Sequence, residues 1–460
     1  MATLATHFDE PVTFEQPQES LTTRRIAQFY FATFWTIIFT GSVRKWLFPH
    51  TAAFYLLQDV PITFAYLYAI YKGFFTRGLL FFGIFLVSSV ITLQALLQLV
   101  VIGLSPVIAG VGLHHYLYYL PMLLIFPLGL TPKYRRNFIR WNLFASFPML
   151  LLSVAQAMSP TQAFINRTSE GDAMGLPGVE IARVCGPFNF SIFYGIWIGT
   201  ALSMCLGEWL LPRHQRAVQN RFILPAATFG WGLIALVSGS RQNVLLCAAA
   251  VLGAVIAAVL IRSMRVLAVL LGFCISLPVV VGMVYVISPT EFATVSDRFT
   301  SDSGSSDVKD RISASFYGWI TETPFSLIGK GTGMGVDAAH FGSSDAYNFT
   351  YGLSEGDTMR NVMELGTPVG FFYVFLRFAF IIGMIFLASR LVYVSPHCLP
   401  LAFLLFAQTL ADLTRAATMT ATQVMVGYAF IFGVFLYPQK FTQPEPHEIE
   451  SSEPAPVFAA

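Results

Sequence analysis

Cations at the ends of apolar runs are the residues of this chain best suited to chemistry. Arg241 stands in Ser238-Gly239-Ser240-Arg241-Gln242, a hairpin between two apolar stretches, and a guanidinium so close to hydrocarbon takes a partner or snorkels to the interface. Arg183 lies in Arg183-Val184-Cys185-Gly186-Pro187-Phe188-Asn189, where glycine and proline impose an irregular approach to the next run. Arg44 and Lys45 follow the first apolar run, and Arg167, Arg298, Lys309, Arg311, Lys330, Arg360 and Arg415 fall on the same side of an alternating topology. Arginine offers a planar, permanently charged fork that grips phosphate or carboxylate with two bonds. Cations gathered on one face therefore suit an anionic ligand. The plainer reading of the loop cations is a solvated or salt-bridged surface, since Asp297, Asp302, Asp307 and Asp310 surround Arg298, Lys309 and Arg311.

Other conspicuous residues have structural readings. His114 and His115 are neighbours, so on a helix they point about 100° apart and chelate poorly; buried hydrogen bonding suits them better. Asp59 and Asp412 are ionisable residues within or beside apolar runs, which suggests function, although Asp412 can pair with Arg415 three residues on. Gly329-Lys330-Gly331-Thr332-Gly333-Met334-Gly335 is a tight turn or extended loop. It lacks the spacing and the strand-to-helix context of a phosphate-binding P-loop. Residues 355–364 read as a helix approaching the membrane with Arg360 and Glu364 four apart, and 310–322 as an amphipathic helix. The five cysteines show no paired or metal-like spacing, so neither a disulfide framework nor a metal site is expected.

The elements that must position these residues are membrane helices. Of 460 residues, 55% are hydrophobic and 11% charged, against roughly 25% charged in soluble domains; the mean hydropathy is +0.64. Apolar windows long enough for the ~20 residues of a bilayer crossing fall at about 26–43, 51–71, 79–103, 107–130, 139–158, 190–211, 222–238, 243–261, 266–287, 367–389, 396–413 and 420–437. The expected fold is an all-α integral membrane protein of about twelve transmembrane helices, with one large periplasmic loop containing short helices. With a cytoplasmic N-terminus, Arg24, Lys72, Arg135, Arg216, Arg262, Arg390 and Lys440 all fall inside, the positive-inside pattern. The expected division is a cytoplasmic disordered tail at 1–25, nine spans over 26–287, the periplasmic loop at 288–366, three spans over 367–437 and a second cytoplasmic tail at 438–460.

The chain resembles the bacterial O-antigen polymerase and O-antigen ligase superfamily of polytopic glycosyltransferases over most of its length. The resemblance rests on Arg44-Lys45-Trp46 after the first span, Arg183 with Gly186 and Phe188 before the sixth, and Ser238-Gly239-Ser240-Arg241 in a periplasmic hairpin. It continues with Arg311, Trp319, Pro324, Gly329 and Gly331, and closes with Glu355 nine residues before Glu364-Leu365-Gly366. Many ligases have His-Asn where this chain has Glu355-Gly356, which weakens the ligase reading and favours a polymerase of O-antigen or exopolysaccharide.

The resemblance implies an undecaprenyl-diphosphate-linked oligosaccharide as donor and a reaction in the inner membrane; the sequence holds nothing like a paired-carboxylate metal site, so no metal or cofactor is expected. Arg241, Arg311 and Arg183 are then expected to hold the diphosphate, Glu355 to act as general base, and Arg44, Lys45 and Arg360 to be outer-face contacts. Membrane lipid and a chain-length regulator are possible partners; nucleic acid is not expected. A ligase acting on lipid A-core and a lipid-linked oligosaccharide transporter or flippase are the alternatives.

Overall fold

The computed structural model describes residues 20–49, 51, 54, 56–169, 175–176, 179–262, 282, 319–321, 323–336, 357–410 and 418–438. Helices dominate: α1 (Leu21–Ser42), α2 (Asp59–Lys72), α3 (Leu79–Val101), α4 (Pro106–Leu117), α5 (Met122–Gly129) and α6 (Pro132–Met158). A two-stranded antiparallel hairpin, β1 (Gly175–Leu176) with β2 (Val179–Ala182), interrupts the expected all-α pattern. There follow α7 (Ser191–Leu210), α8 (Ile223–Val237), α9 (Arg241–Leu260), α10 (Asp357–Leu365), α11 (Thr367–Leu391), α12 (Cys398–Leu410) and α13 (Thr418–Leu436). Each of the other eleven apolar windows contains helix, and of 266–287 only residue 282 is described. Among the described residues six helices are long and apolar enough to cross a membrane, seven if the bent α4–α5 pair counts as one span.

Hydrogen bonds between helix ends establish the alternation. With the start of α1 placed at the bottom, Arg135 at the start of α6 donates to the carbonyls of Gly433 and Tyr437 at the end of α13. Glu208 near the end of α7 meets His397, just ahead of α12, at 3.1 Å, and Tyr393 after α11 reaches the carbonyl of Leu260 ending α9. At the top, Gln242 opening α9 donates to Gln408 near the end of α12 at 3.2 Å.

The surface matches hydrocarbon. Helix α3 buries Ile91, Gln94, Ala95 and Gln98, one narrow face spaced three and four apart. Its other face leaves Phe82, Phe85, Leu93 and Val100 exposed, a contiguous apolar surface of the kind that soluble monomers avoid. Helix α7 is buried on nearly all sides. Its Gly195, Gly199, Ser203 and Gly207 recur every four residues, the small-residue stripe that lets membrane helices approach closely. An added Cβ at Gly195 would strike Asn243 of α9, and one at Gly207 would strike His397.

Two expected elements differ. The fourth window is broken into α4 and α5 at a 40° bend, where Pro121 precedes α5 and Pro127 lies inside it. The helix expected to approach the membrane from the loop, α10, instead packs back along α11. Asp357 pairs with Arg377 at 2.6 Å, ten residues into α11 and so about 15 Å below its start. The chain reverses at Gly366, whose φ of +80° and lack of Cβ accommodate the carbonyl of Leu327.

Orientation is checked by reporter fusions. Fusions near residues 135 and 215 are expected to report a cytoplasmic location and one near 170 an outer one, from the placement of basic residues. A cytoplasmic signal at 170 would invert the assignment.

Candidate functional site

The strongest polar cluster centres on α10. Glu364 is fully buried and accepts from the Tyr116 hydroxyl at 2.8 Å, from Arg360 at 2.9 Å, and from the backbone N–H groups of Gly333 and Gly335 at 3.1 and 2.7 Å. The glycine-rich loop therefore does cradle an anion, and the anion is the protein's own carboxylate. Gly333, at φ +95°, lies directly against Gly112 of α4, so that neither position has room for a side chain. Gln94 and Gln98, one turn apart on α3, donate to the carbonyls of Ile328, Glu364 and Leu365. They stitch the loop and the top of α10 to the bundle, because buried carbonyls require partners.

This network corrects the reading of Arg360 as an outer-face contact. Arg360 is 4% exposed, and its guanidinium is held by Asp357, Glu364 and Asn361. A buried cation among two carboxylates is committed to the fold. Asp59 is also absorbed structurally: it pairs with His114 at 3.0 Å and accepts from Tyr119 at 2.8 Å. Of the buried hydrogen bonding expected for the two histidines, His114 has the bond but its side chain is 26% exposed, and His115 keeps Nδ1 buried without a partner.

The motif cations gather at the top of the bundle. Helix α1 continues as a π-helical turn, Val43–Leu47, that carries Arg44 and Lys45. Lys45 donates to the carbonyl of Gly186 at 3.1 Å, and Gln156 clasps both the carbonyl and the N–H of the same glycine. The segment bearing Arg183 is thereby pinned to the ends of α1 and α6. Lys45 and Arg183 both lie near the Cys185 thiol, whose pKa burial raises and whose thiolate these two cations favour. Arg183 keeps its Nε buried without a hydrogen-bond partner. Arg241 is the first residue of α9, and Asn243, two residues on, packs into the notch at Gly195 of α7. The motifs at 44–46, 183–188 and 238–241 are thus brought to one end through α7. Arg311 and Glu355 lie outside the described residues.

Beside this end a cavity of about 600 Å³ runs between α3, α4, α11, α12 and α13. Its wall is mainly hydrocarbon, including Leu80, Ile84, Phe380 and Leu387, while His115, Asp357, Arg377, Gln408 and Tyr428 supply polar groups. Leu79, which lines its lower part, is 88% exposed, so the cavity reaches the outer, apolar side of the bundle there. Gln408 connects this space to the Arg241 hairpin through its bond with Gln242. The sequence reading missed Asp357, Arg377 and Gln408. Arg377 was the available signal, an arginine in the middle of an apolar run.

The arrangement defines a helical bundle whose described part has six helices long and apolar enough to cross a membrane, with a largely apolar cavity beside the end that carries Arg44, Lys45, Arg183 and Arg241. Comparison with family models, curated proteins and solved structures finds no match to this chain.

Proposed function

We propose that the chain is a membrane glycosyltransferase of surface polysaccharide assembly, which polymerises undecaprenyl-diphosphate-linked oligosaccharide units at the periplasmic face of the bacterial inner membrane. The observation that carries the reading is the cavity: apolar along most of its wall, reaching the outside at Leu79, and linked at Gln408 to the hairpin of Arg241. A donor with a long hydrocarbon tail and a polar head needs such a graded space. Arg183 and Arg241, with Arg311, would hold the diphosphate, and a fixed guanidinium stabilises charge that develops as the glycosidic bond to the carrier breaks. Glu355 would take the proton of the acceptor hydroxyl. In this reading the spans number about twelve, both termini are cytoplasmic, and the segment 288–366 is periplasmic.

A second reading, a transporter of lipid-linked oligosaccharide, is favoured by one feature. Helix α10 is a buried half-helix bearing Asp357, Arg360 and Glu364, and charged, interrupted helices are common in transporters.

The deciding measurement uses purified protein in proteoliposomes with lipid-linked repeat units. Longer lipid-linked chains are expected, and transfer to lipid A-core would make the protein a ligase. Arg241→Ala is expected to lower the elongation rate roughly 10- to 100-fold, the worth of a charge-assisted contact, and Arg241→Lys to restore only part of it. Movement of the donor across the bilayer with no elongation would replace polymerase by transporter.

A further inference from the structure

The end of the bundle at which α1 starts carries a second set of cations, held in place by the loop between α7 and α8. Arg136 and Arg140 stand one turn apart on α6 and donate at 2.8 Å to the carbonyls of Arg216 and Ala217 in that loop. Arg216 in turn donates to the carbonyl of Leu211 at 3.2 Å and lies over the ring of Trp209. Backbone oxygens thus fix the guanidiniums of Arg136, Arg140 and Arg216, and each keeps N–H groups that these bonds do not use. Arg213 and Arg221 are exposed on the same loop, and Arg221 lies over the ring of Phe222.

Like charges gathered in this way call for an anion. None of these arginines forms an ion pair among the described residues. Glu208 is the one described carboxylate at this end; it is 1% exposed, and its oxygens are taken by His397 and by the N–H of Ala217. Of the segments outside the described residues, 263–281 adds Arg265 and no carboxylate, whereas 1–19 and 439–460 are acidic, with Asp9, Glu10, Glu15 and Glu19 in the first and Glu445, Glu448, Glu450 and Glu453 against Lys440 in the second. The neighbouring surface decides between these segments and an outside ligand. Beyond Arg140, α6 exposes Trp141, Phe144, Phe147 and Leu151, and α8 exposes Phe222 and Phe229 at its start and middle. From Arg140 to Leu151 is about 16 Å along the helix, roughly half the hydrocarbon thickness of a bilayer and so the depth of one leaflet. An acidic peptide matches the cations alone. A phospholipid matches the cations and the hydrocarbon together.

We infer that this end of α6 and the loop between α7 and α8 form a headgroup site for an anionic glycerophospholipid of the adjoining leaflet. Arg140 and Arg216 grip the phosphate with their remaining N–H groups, Arg136 flanks them, and Arg213 and Arg221 draw the headgroup in from solvent. The acyl chains lie along the exposed apolar surface beyond Arg140. Trp141 and Phe222 mark the level of the interface, where aromatic side chains settle. The site stands at the opposite end of the bundle from Arg183 and Arg241, so it does not depend on the transferase reading.

The test is equilibrium binding of tritiated dioleoyl phosphatidylglycerol to the delipidated full-length protein in a neutral detergent, in competition with dioleoyl phosphatidylcholine or glycerol phosphate. Saturable binding is expected, and both competitors should be far weaker than unlabelled phosphatidylglycerol. Arg140→Gln and Arg216→Gln are each expected to weaken binding about fivefold, the worth of one basic residue at an anionic surface. The double variant Arg213→Gln/Arg221→Gln changes exposed side chains that hold no part of the loop, and it should weaken binding at least as much even if the other two variants fold poorly. Lys72→Gln/Arg77→Gln, on the turn between α2 and α3, should leave binding unchanged. Phosphatidylcholine binding equally well, glycerol phosphate competing as well as the lipid, or equal losses at Lys72/Arg77 and at Arg213/Arg221 would each overturn the site. Removal of residues 1–19 and 439–460 should change little; binding that appears only after their removal would assign the cations to the chain's own acidic segments and overturn the lipid.

Discussion

Glu364→Leu is expected to cost about 3–5 kcal/mol of stability, the range for removing one partner of a buried ion pair. The reason is the number of groups that depend on this carboxylate. Arg360, the Tyr116 hydroxyl and the N–H groups of Gly333 and Gly335 all donate to it, and with leucine in place Arg360 would retain only Asp357 as an anionic partner. Three elements, α4, α10 and the glycine-rich loop, would loosen together. Glu364→Gln keeps the volume and one acceptor oxygen, so its loss should be smaller. Unfolding of the purified protein in denaturant measures both. A leucine variant as stable as the parent would mean that the carboxylate is not the keystone of this network.

The second large effect concerns turnover. Glu355→Gln is expected to lower chain elongation by roughly 10²–10⁴-fold, the range for loss of a general acid–base group, with donor binding and membrane insertion unchanged. The motivation is its position nine residues ahead of Glu364-Leu365-Gly366, where the family it resembles places a histidine. Glu355 itself lies outside the described residues. Elongation is normalised to inserted protein. Near-parental elongation would sink the base assignment, and loss of donor binding would move Glu355 to shaping the pocket.

Measured effects at the two glutamates should differ in kind. Residues that act through the fold change stability and activity together, whereas a base changes the rate of a protein that still folds and binds. Arg360 belongs with Glu364 on this criterion: its three partners are internal, so its replacement should track loss of folded protein.

Helices long and apolar enough to cross a membrane were legible in the sequence because a bilayer would leave such runs little choice. A run of ~20 apolar residues can satisfy its backbone in hydrocarbon only as a helix or within a closed barrel, and the windows at 79–103, 139–158, 243–261 and 367–389 correspond to α3, α6, α9 and α11. The sequence also marked Arg44-Lys45, Arg183-Gly186 and Arg241 as unusual, since charge and glycine at span ends break a simple pattern. What it left open was which of these residues meet. Lys45 reaches Gly186, 141 positions away, and no local periodicity encodes that distance. The same holds for Arg360, which reads as a surface cation beside a loop until the reversal at Gly366 carries α10 back along α11. The cavity is likewise a tertiary product. Its polar groups are contributed one or two at a time by α4, α10, α11, α12 and α13, too scattered along the chain to look like a motif. Helix formation is governed by local composition and solvent. The partner of each buried polar group depends on how the helices pack, and so only the folded bundle decided it.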